Sequence, residues 1–268
     1  MVSPPPPTIV FIPGAWHTME YYNHVRSLLE AKGYPTVGVP LPSVGSTATM
    51  ADDAVAIHAV TAHLVAEGKR VVLVMHSYGG IPGTESARGL AWRKRTAFGG
   101  GNEGKGGDKL SGSEGGIVAL VYLAAYLLSE GMSVMSFGSG GGMPEWLTVE
   151  NGMISYETKA AVANLYGDLL PDRQHKAEVW ASKLKPHSAV SWAGEITYPA
   201  HRDIPATYLL CTQDRSIPLD LQERFVGFAQ GEITTRTCDS AHSPMIPMPG
   251  VVVDTIVEVV EGVGRGPE

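Results

Sequence analysis

Short continuous apolar runs alternate along this chain with longer stretches of helical periodicity, and that alternation leaves few architectures open. A strand that is apolar without a break must be covered on both faces, which is the condition of a parallel sheet flanked by helices. Thr8–Ile12, Thr36–Val39, Arg70–Met75, Ile117–Leu123, Thr207–Cys211 and Ile233–Thr237 read as such strands. Between the first two, Tyr21, Val25, Leu28 and Leu29 recur at helical spacing, and Gly33 stops that helix. Thr49-Met50-Ala51-Asp52 has the form of a capping box and opens a helix to about Glu67. Further helices are predicted after Gly80 to about Trp92, from about Leu219 to Phe228 and from about Val251 to Val260. The expected class is α/β: a mostly parallel central sheet with helices on both faces.

Two segments break the rhythm. Gly99–Gly116 is dominated by Gly, Lys, Asp, Glu and Ser, cannot bury a core, and is predicted to be a mobile surface loop. Met132 to about His201 is rich in Met, Gly, Trp and Tyr, with helical candidates near Tyr156–Leu165 and Asp172–Leu184. The expected organisation is one domain over residues 1–268, with an insertion at about 132–201 and the Gly-rich loop at about 99–116.

Bulk properties exclude several classes of function. A net charge of −7, with Lys and Arg spread along the chain, gives no electrostatic case for nucleic acid or an anionic membrane. No apolar run approaches the ~20 residues of a membrane span. The N-terminus, Met1-Val2-Ser3 followed by four prolines, lacks the basic and apolar regions of a signal peptide. Two cysteines, Cys211 and Cys238, do not make a disulfide framework. The expectation is a soluble cytoplasmic protein. Its oligomeric state is open, a homodimer being compatible with the chain. No His-x-x-x-His or clustered Cys/His spacing is present, so neither a metal nor another cofactor is expected.

The strand Arg70–Met75 runs into His76-Ser77-Tyr78-Gly79-Gly80 and then a helix. A serine on such a sharp strand-to-helix turn has its hydroxyl exposed at the carboxyl end of the sheet. The usual pattern is Gly-x-Ser-x-Gly; here Met75 replaces the first glycine. A serine hydroxyl is a weak nucleophile and needs an adjacent base, itself oriented by a carboxylate. In the order nucleophile, acid, base, the loop after Ile233–Thr237 supplies His242, and the loop after Thr207–Cys211 supplies Asp214. Glu130 is a rival acid, with Asp239 and Asp203 weaker ones. The remaining histidines read as surface or structural. Two backbone N–H groups should meet the developing oxyanion. That of Tyr78 follows the nucleophile, and that of Ala15 lies in the loop after the first strand, where Gly14 would let the backbone approach the substrate.

Phe11-Ile12-Pro13-Gly14-Ala15-Trp16, Val74-Met75-His76-Ser77-Tyr78-Gly79-Gly80, Gln213-Asp214 and Ala241-His242-Ser243-Pro244 resemble α/β-hydrolases of the plant methylesterase and hydroxynitrile lyase group and their fungal and bacterial relatives. The resemblance implies the α/β-hydrolase fold, the Ser77–His242–Asp214 triad with its oxyanion hole, and a helical lid over the pocket. Plant hydroxynitrile lyases of the group carry Thr where this chain has Gly14 and Lys where it has Ser243, which argues against cyanohydrin cleavage. Ser77 argues against the Asp-nucleophile dehalogenases and epoxide hydrolases of the fold. Pro13 replaces the group's common His before Gly14.

Trp146, Trp180 and Trp192 fall in the expected lid, as do Met135, Met143, Met153, Tyr156, Tyr166 and Tyr198. Aromatic and Met side chains suit an adaptable apolar pocket. Gly14, Trp16, Met143, Trp146, Tyr156 and Trp180 are the expected substrate-binding residues. The expected reaction is hydrolysis of a small to medium hydrophobic or aromatic carboxylic ester or lactone. The alternatives are a cofactor-free lyase on the same triad and a receptor with residual hydrolysis.

Overall fold

A computed structural model describes residues 5–92, 115–137, 143–167, 169 and 174–264. Six strands form a parallel sheet: β1 (Thr8–Ile12), β2 (Thr36–Gly38), β3 (Arg70–His76), β4 (Gly116–Leu123), β8 (Ala206–Cys211) and β9 (Ile233–Cys238). Their order is β2-β1-β3-β4-β8-β9. Register runs from Ile9 opposite Thr36 at one side to Cys211 opposite Cys238 at the other. The inner strands are buried along almost their whole length, as continuous apolar runs must be; β9, at the edge, is largely exposed and reads Ile-Thr-Thr-Arg-Thr-Cys.

The helices divide between the two faces. α2 (Met50–Ala66), α3 (Gly80–Ser86) and α7 (Leu219–Phe228) pack with Val10, Ile12, Leu73 and Tyr122 in one core. α1 (Asn23–Ala31) and α8 (Pro249–Gly264) pack with Ile9, Phe11, Val72 and Val121 in the other. The capping box forms: Thr49 Oγ1 accepts from Asp52 N, and the Asp52 carboxylate accepts from Thr49 N. From β1 the chain winds outward to β2 and then returns to β3 on the other side of β1. Such a reversal of strand order leaves a crevice at the carboxyl ends, where open α/β sheets bind ligands.

Three sequence expectations need correction. The helix after Gly80 stops at Ser86, not near Trp92, because Gly89 turns the chain at φ +76° and Ala91 bridges to Ile117. Gly116 belongs to β4, paired with Arg70, and not to the Gly-rich loop, whose residues up to 114 lie outside the described set. Tyr156 ends a strand rather than starting a helix; Glu157 then caps α5 (Thr158–Leu165), its carboxylate accepting from Lys159 N and Ala160 N.

Between β4 and β8 lie α4 (Val134–Phe137), β5 (Leu147–Glu150), β6 (Met153–Tyr156), α5, α6 (Gln174–Ser182) and β7 (His187–Ser188). β5, β6 and β7 form a small antiparallel sheet. Glu150 pairs Met153, so Asn151 and Gly152 make a two-residue turn, at φ +51° and +77°. Asn-Gly is the favoured pair for a hairpin turn with both φ positive. Trp16 Nε1 donates to Ile154 O (2.9 Å), which fixes this sheet to the loop after β1.

Candidate active site

The carboxyl ends of β1, β3, β8 and β9 carry the candidate residues. Ser77 directly follows β3 and has φ +53°, a left-handed conformation rare for a side chain with Cβ. It lies in a 3-10 turn, Ser77–Gly79, that feeds α3, and Tyr126 N donates to its carbonyl (3.1 Å). Strain of this kind is held by its surroundings and is characteristic of functional positions.

Met75, the departure from the usual elbow pattern, has a structural account. A Cβ placed on Gly83 would fall 2.6 Å from Met75 Sδ and 2.8 Å from Met75 Cγ. The volume added at position 75 is therefore taken from position 83, about one turn into α3. The fully buried methionine thus packs where the helix offers no side chain.

His242 Nε2 lies 2.8 Å from Ser77 Oγ, and His242 Nδ1 lies 2.7 Å from Asp214 Oδ2. Both partners of the latter pair are buried. A carboxylate only accepts, so Nδ1 carries the proton and Nε2 is left to accept the Ser77 hydroxyl. Asp214 is itself held: Oδ1 accepts from Ser216 N (2.8 Å) and Ile217 N (2.9 Å), and Oδ2 from Gln222 Nε2 (3.3 Å). Gln213 N donates to Ser240 O (3.0 Å), which ties the loop of Asp214 to the loop of His242. The rival acids lie elsewhere. Glu130 pairs with Arg202 (2.8 Å) at the surface, Asp239 accepts from Thr212 and Gln213, and Asp203 accepts from Tyr198.

Ser77 opens on a cavity of about 690 Å³. Of the residues predicted to surround it, Ala15, Trp16, Tyr78, Met143, Trp146 and Tyr156 line it. Trp16 meets Tyr156 edge-on at 5.0 Å. Two predictions are corrected. Trp180 does not line the cavity; its ring packs 4.9 Å from Tyr21 and its carbonyl accepts from Tyr21 O–H (2.7 Å), so it seats α6 against the stretch before α1. Gly14 does not line it either. A Cβ there would sit 2.8 Å from Ser77 Cβ and 2.9 Å from His76 Nδ1, so the glycine admits the nucleophile elbow rather than the substrate.

Four further residues shape the site although the sequence did not mark them as catalytic or substrate-binding, Trp192 having been placed only in the lid. Trp192 and Tyr126 line the cavity; Arg224 is the one charged side chain among its described lining residues. Asp53, on α2, is wholly buried: Oδ1 accepts from Ser43 N (2.8 Å), and Oδ2 from Ser43 Oγ (2.6 Å) and Tyr78 O–H (2.8 Å). Burial pushes its carboxyl above the ordinary range, against the pull of these donors. Its signal in the sequence was its place with Met50, Ala54 and Ile57 on the apolar stripe of the helix.

Three histidines expected to be surface or structural are buried here. Burial lowers His17 to about 3, His187 to about 3, and His76 well below the imidazole range. Ser243, beside His242, faces His17 Nε2 at 3.5 Å. Among the described residues, no group of three or more His, Cys, Asp or Glu could hold a metal ion, and no helix is long and apolar enough to cross a membrane.

A model of the alpha/beta hydrolase family matches residues 9–255. The chain is 29% identical over 259 residues to the alpha/beta hydrolase nvfD of Aspergillus novofumigatus (strain IBT 16806), covering 93% of this chain and 95% of that one. Among solved structures it is similar to tomato methylketone synthase I complexed with 2-tridecanone, at TM-score 0.73 and 14% identity over 96% of this chain and 99% of that one. It is similar too to a pyrethroid hydrolase from Sphingobium faniae JZ-2, at TM-score 0.68 and 18% identity over 95% and 97%. With a parallel sheet of this order, a strained serine after β3 and a family match over most of its length, the chain belongs to the alpha/beta hydrolase family.

Proposed function

We propose that this protein is a serine hydrolase that cleaves a carboxylic ester or lactone of a small to medium hydrophobic or aromatic substrate. The observation that carries the reading is the unbroken line Ser77 Oγ, His242, Asp214, opening on a cavity walled by aromatic and Met side chains. Ser77 Oγ attacks the ester carbonyl while His242 Nε2 takes its proton, and Asp214 stabilises the imidazolium that results. The tetrahedral oxyanion is met by the backbone N–H groups of Ala15 and Tyr78, both at the cavity wall beside Ser77. Collapse expels the alcohol, which takes the proton from His242, and leaves an acyl-Ser77. Water, activated by His242, then releases the acid and restores the serine.

Two further observations support the reading. A cavity of this size suits a ligand of drug-like dimensions, and its walls offer few polar groups to a polyanion. Relatives of similar fold carry hydrolase names, including the pyrethroid hydrolase. The test is turnover of p-nitrophenyl esters of increasing acyl length by the wild type and Ser77→Ala. The expected result is turnover that Ser77→Ala abolishes with its circular dichroism unchanged. Equal rates in the two proteins would remove Ser77 as nucleophile.

A further inference from the structure

His76 precedes the nucleophile and is wholly buried, and its side chain has no part in the proton transfers just described. Its two nitrogens are both engaged. Nε2 lies 2.8 Å from the carbonyl oxygen of His242, and Nδ1 lies 2.9 Å from Tyr22 Oη. Tyr22 Oη also accepts from Gly14 N (3.3 Å).

These contacts admit one assignment of protons. Burial, the nearby His242 and His17 all hold His76 neutral, so its ring carries a single N–H. A carbonyl only accepts, so that N–H is on Nε2. Nδ1 is then an acceptor, and the Tyr22 hydroxyl donates to it. The backbone N–H of Gly14 closes the line by donating to the Tyr22 oxygen. The result is a continuous chain, Gly14 N–H to Tyr22 O–H to His76 to His242 C=O, with no donor or acceptor out of place.

His17 makes the mirror arrangement on the other side. Its Nδ1 donates to Ala15 O (2.7 Å), which leaves Nε2 to accept from Tyr166 O–H (3.1 Å). The rings of His17 and His76 meet edge to face at 5.3 Å, and those of His76 and His242 lie 4.9 Å apart.

We propose that His76 is a positioning residue: with Tyr22, it locks the Gly14–Ala15 loop and the His242 loop to the elbow that bears Ser77. The three parts that must act together come from three different strand ends, and His76 lies on the elbow with one nitrogen bonded to the base loop and the other, through Tyr22, to the Gly14 loop. The argument rests on the Ser77–His242 reading of the site. A purely structural histidine could satisfy its nitrogens anywhere; this one is bonded to the main chain of the base itself and, through one hydroxyl, to the loop that offers the Ala15 N–H.

The test uses His76→Leu, His76→Gln and Tyr22→Phe beside the wild type and Ser77→Ala. Two rates are read: p-nitrophenyl ester turnover, as kcat and KM, and the labelling of Ser77 by a fluorophosphonate, which needs His242 to activate the serine but no native substrate. Urea unfolding reports whether each variant is folded. A loosened base costs about 100-fold in kcat and in labelling, since small misplacements of reacting groups have costs of this order. His76→Leu should show that loss with KM within about twofold. His76→Gln, whose amide N–H can reach the same carbonyl, should recover about tenfold or more of the loss, and Tyr22→Phe should fall between. A folded His76→Leu within about twofold of wild type in both rates overturns the proposal. So does a His76→Gln that falls as far as His76→Leu. Should His76→Leu fail to fold, Tyr22→Phe decides, and wild-type rates in it overturn the proposal. A wild type that is labelled but turns over no ester fails the ester reading alone, and the labelling rates still judge His76. A wild type in which Ser77 is not labelled removes both.

Discussion

His187 should make this protein acid-sensitive by a calculable amount. The ring is wholly buried in β7, edge-on to Tyr78 (4.6 Å) and tilted against Trp16 (6.1 Å). Its Nε2 meets Ser191 Oγ at 2.9 Å, and its Nδ1 has no partner. Burial lowers it to about 3, whereas the same imidazole in the unfolded chain titrates near 6.5. Between those values the unfolded state binds the proton and the native state does not, so stability is complete above pH 6.5 and lost as pH falls toward 3. At pH 5 the unfolded imidazole is protonated in about 32 chains of 33, and the cost to the native state is RT ln(1 + 10^1.5), or about 2 kcal/mol, against about 0.2 kcal/mol at pH 7. The native value lies far enough below pH 5 that the unfolded-state value sets this figure. The measurement is urea unfolding of wild type and His187→Phe at both pH values. Phenylalanine keeps a planar ring and cannot titrate; the Ser191 bond it gives up is missing at both pH values and cancels. His17, lowered to the same extent, is present in both proteins and cancels too. The variant should lose about 2 kcal/mol less than wild type from pH 7 to pH 5. Parallel losses would show that His187 is not held neutral in the native state, and the reasoning would fail.

Asp53→Ala should cost about 3 kcal/mol in urea unfolding, because it strands the buried Ser43 N–H and Tyr78 hydroxyl, and it should lower kcat because Tyr78 lies beside Ser77. An unchanged unfolding midpoint would show that water replaces the carboxylate. Gly83→Ala should destabilise by about 1–3 kcal/mol through the clash with Met75, even though alanine favours a helix. Adding Met75→Ala should then cost less than it does in the wild type, so the two changes combine less than additively; strict additivity in the double-mutant cycle would refute the packing account.

The parts of the fold legible in the sequence were those with an unmixed environment. β1 at Thr8–Ile12 and α7 at Leu219–Phe228 appear where periodicity places them, the one because a strand buried on both faces is a continuous apolar run, the other because its apolar stripe faces a single core. The hairpin of β5 and β6 escaped notice. Three residues of β5 are exposed, so its strand carries little apolar signal, although Asn151-Gly152 marked the turn.

At the site, Ser77, Asp214 and His242 were legible because each follows a recognisable strand, and the sheet brings those ends together. The cavity wall was not. Trp192 lines it and Trp180 does not, and nothing local separates the two, since each position is decided by contacts with distant segments such as Tyr21 and Trp16. His76, Tyr22 and Asp53 were missed for the same reason: their partners are far along the chain.

The exchange of volume between Met75 and Gly83 constrains the order in which such a chain can change. A methionine can enter the position before His76 only once the helix has lost its side chain at 83; with alanine there, the newcomer meets an occupied place. The reverse path is open at each step, since shrinking Met75 first leaves a hole that a side chain at 83 can then fill. The two positions are therefore coupled in either direction, and a graft of Val74–Gly80 into another hydrolase would seat Met75 without a clash only if Gly83 travels with it.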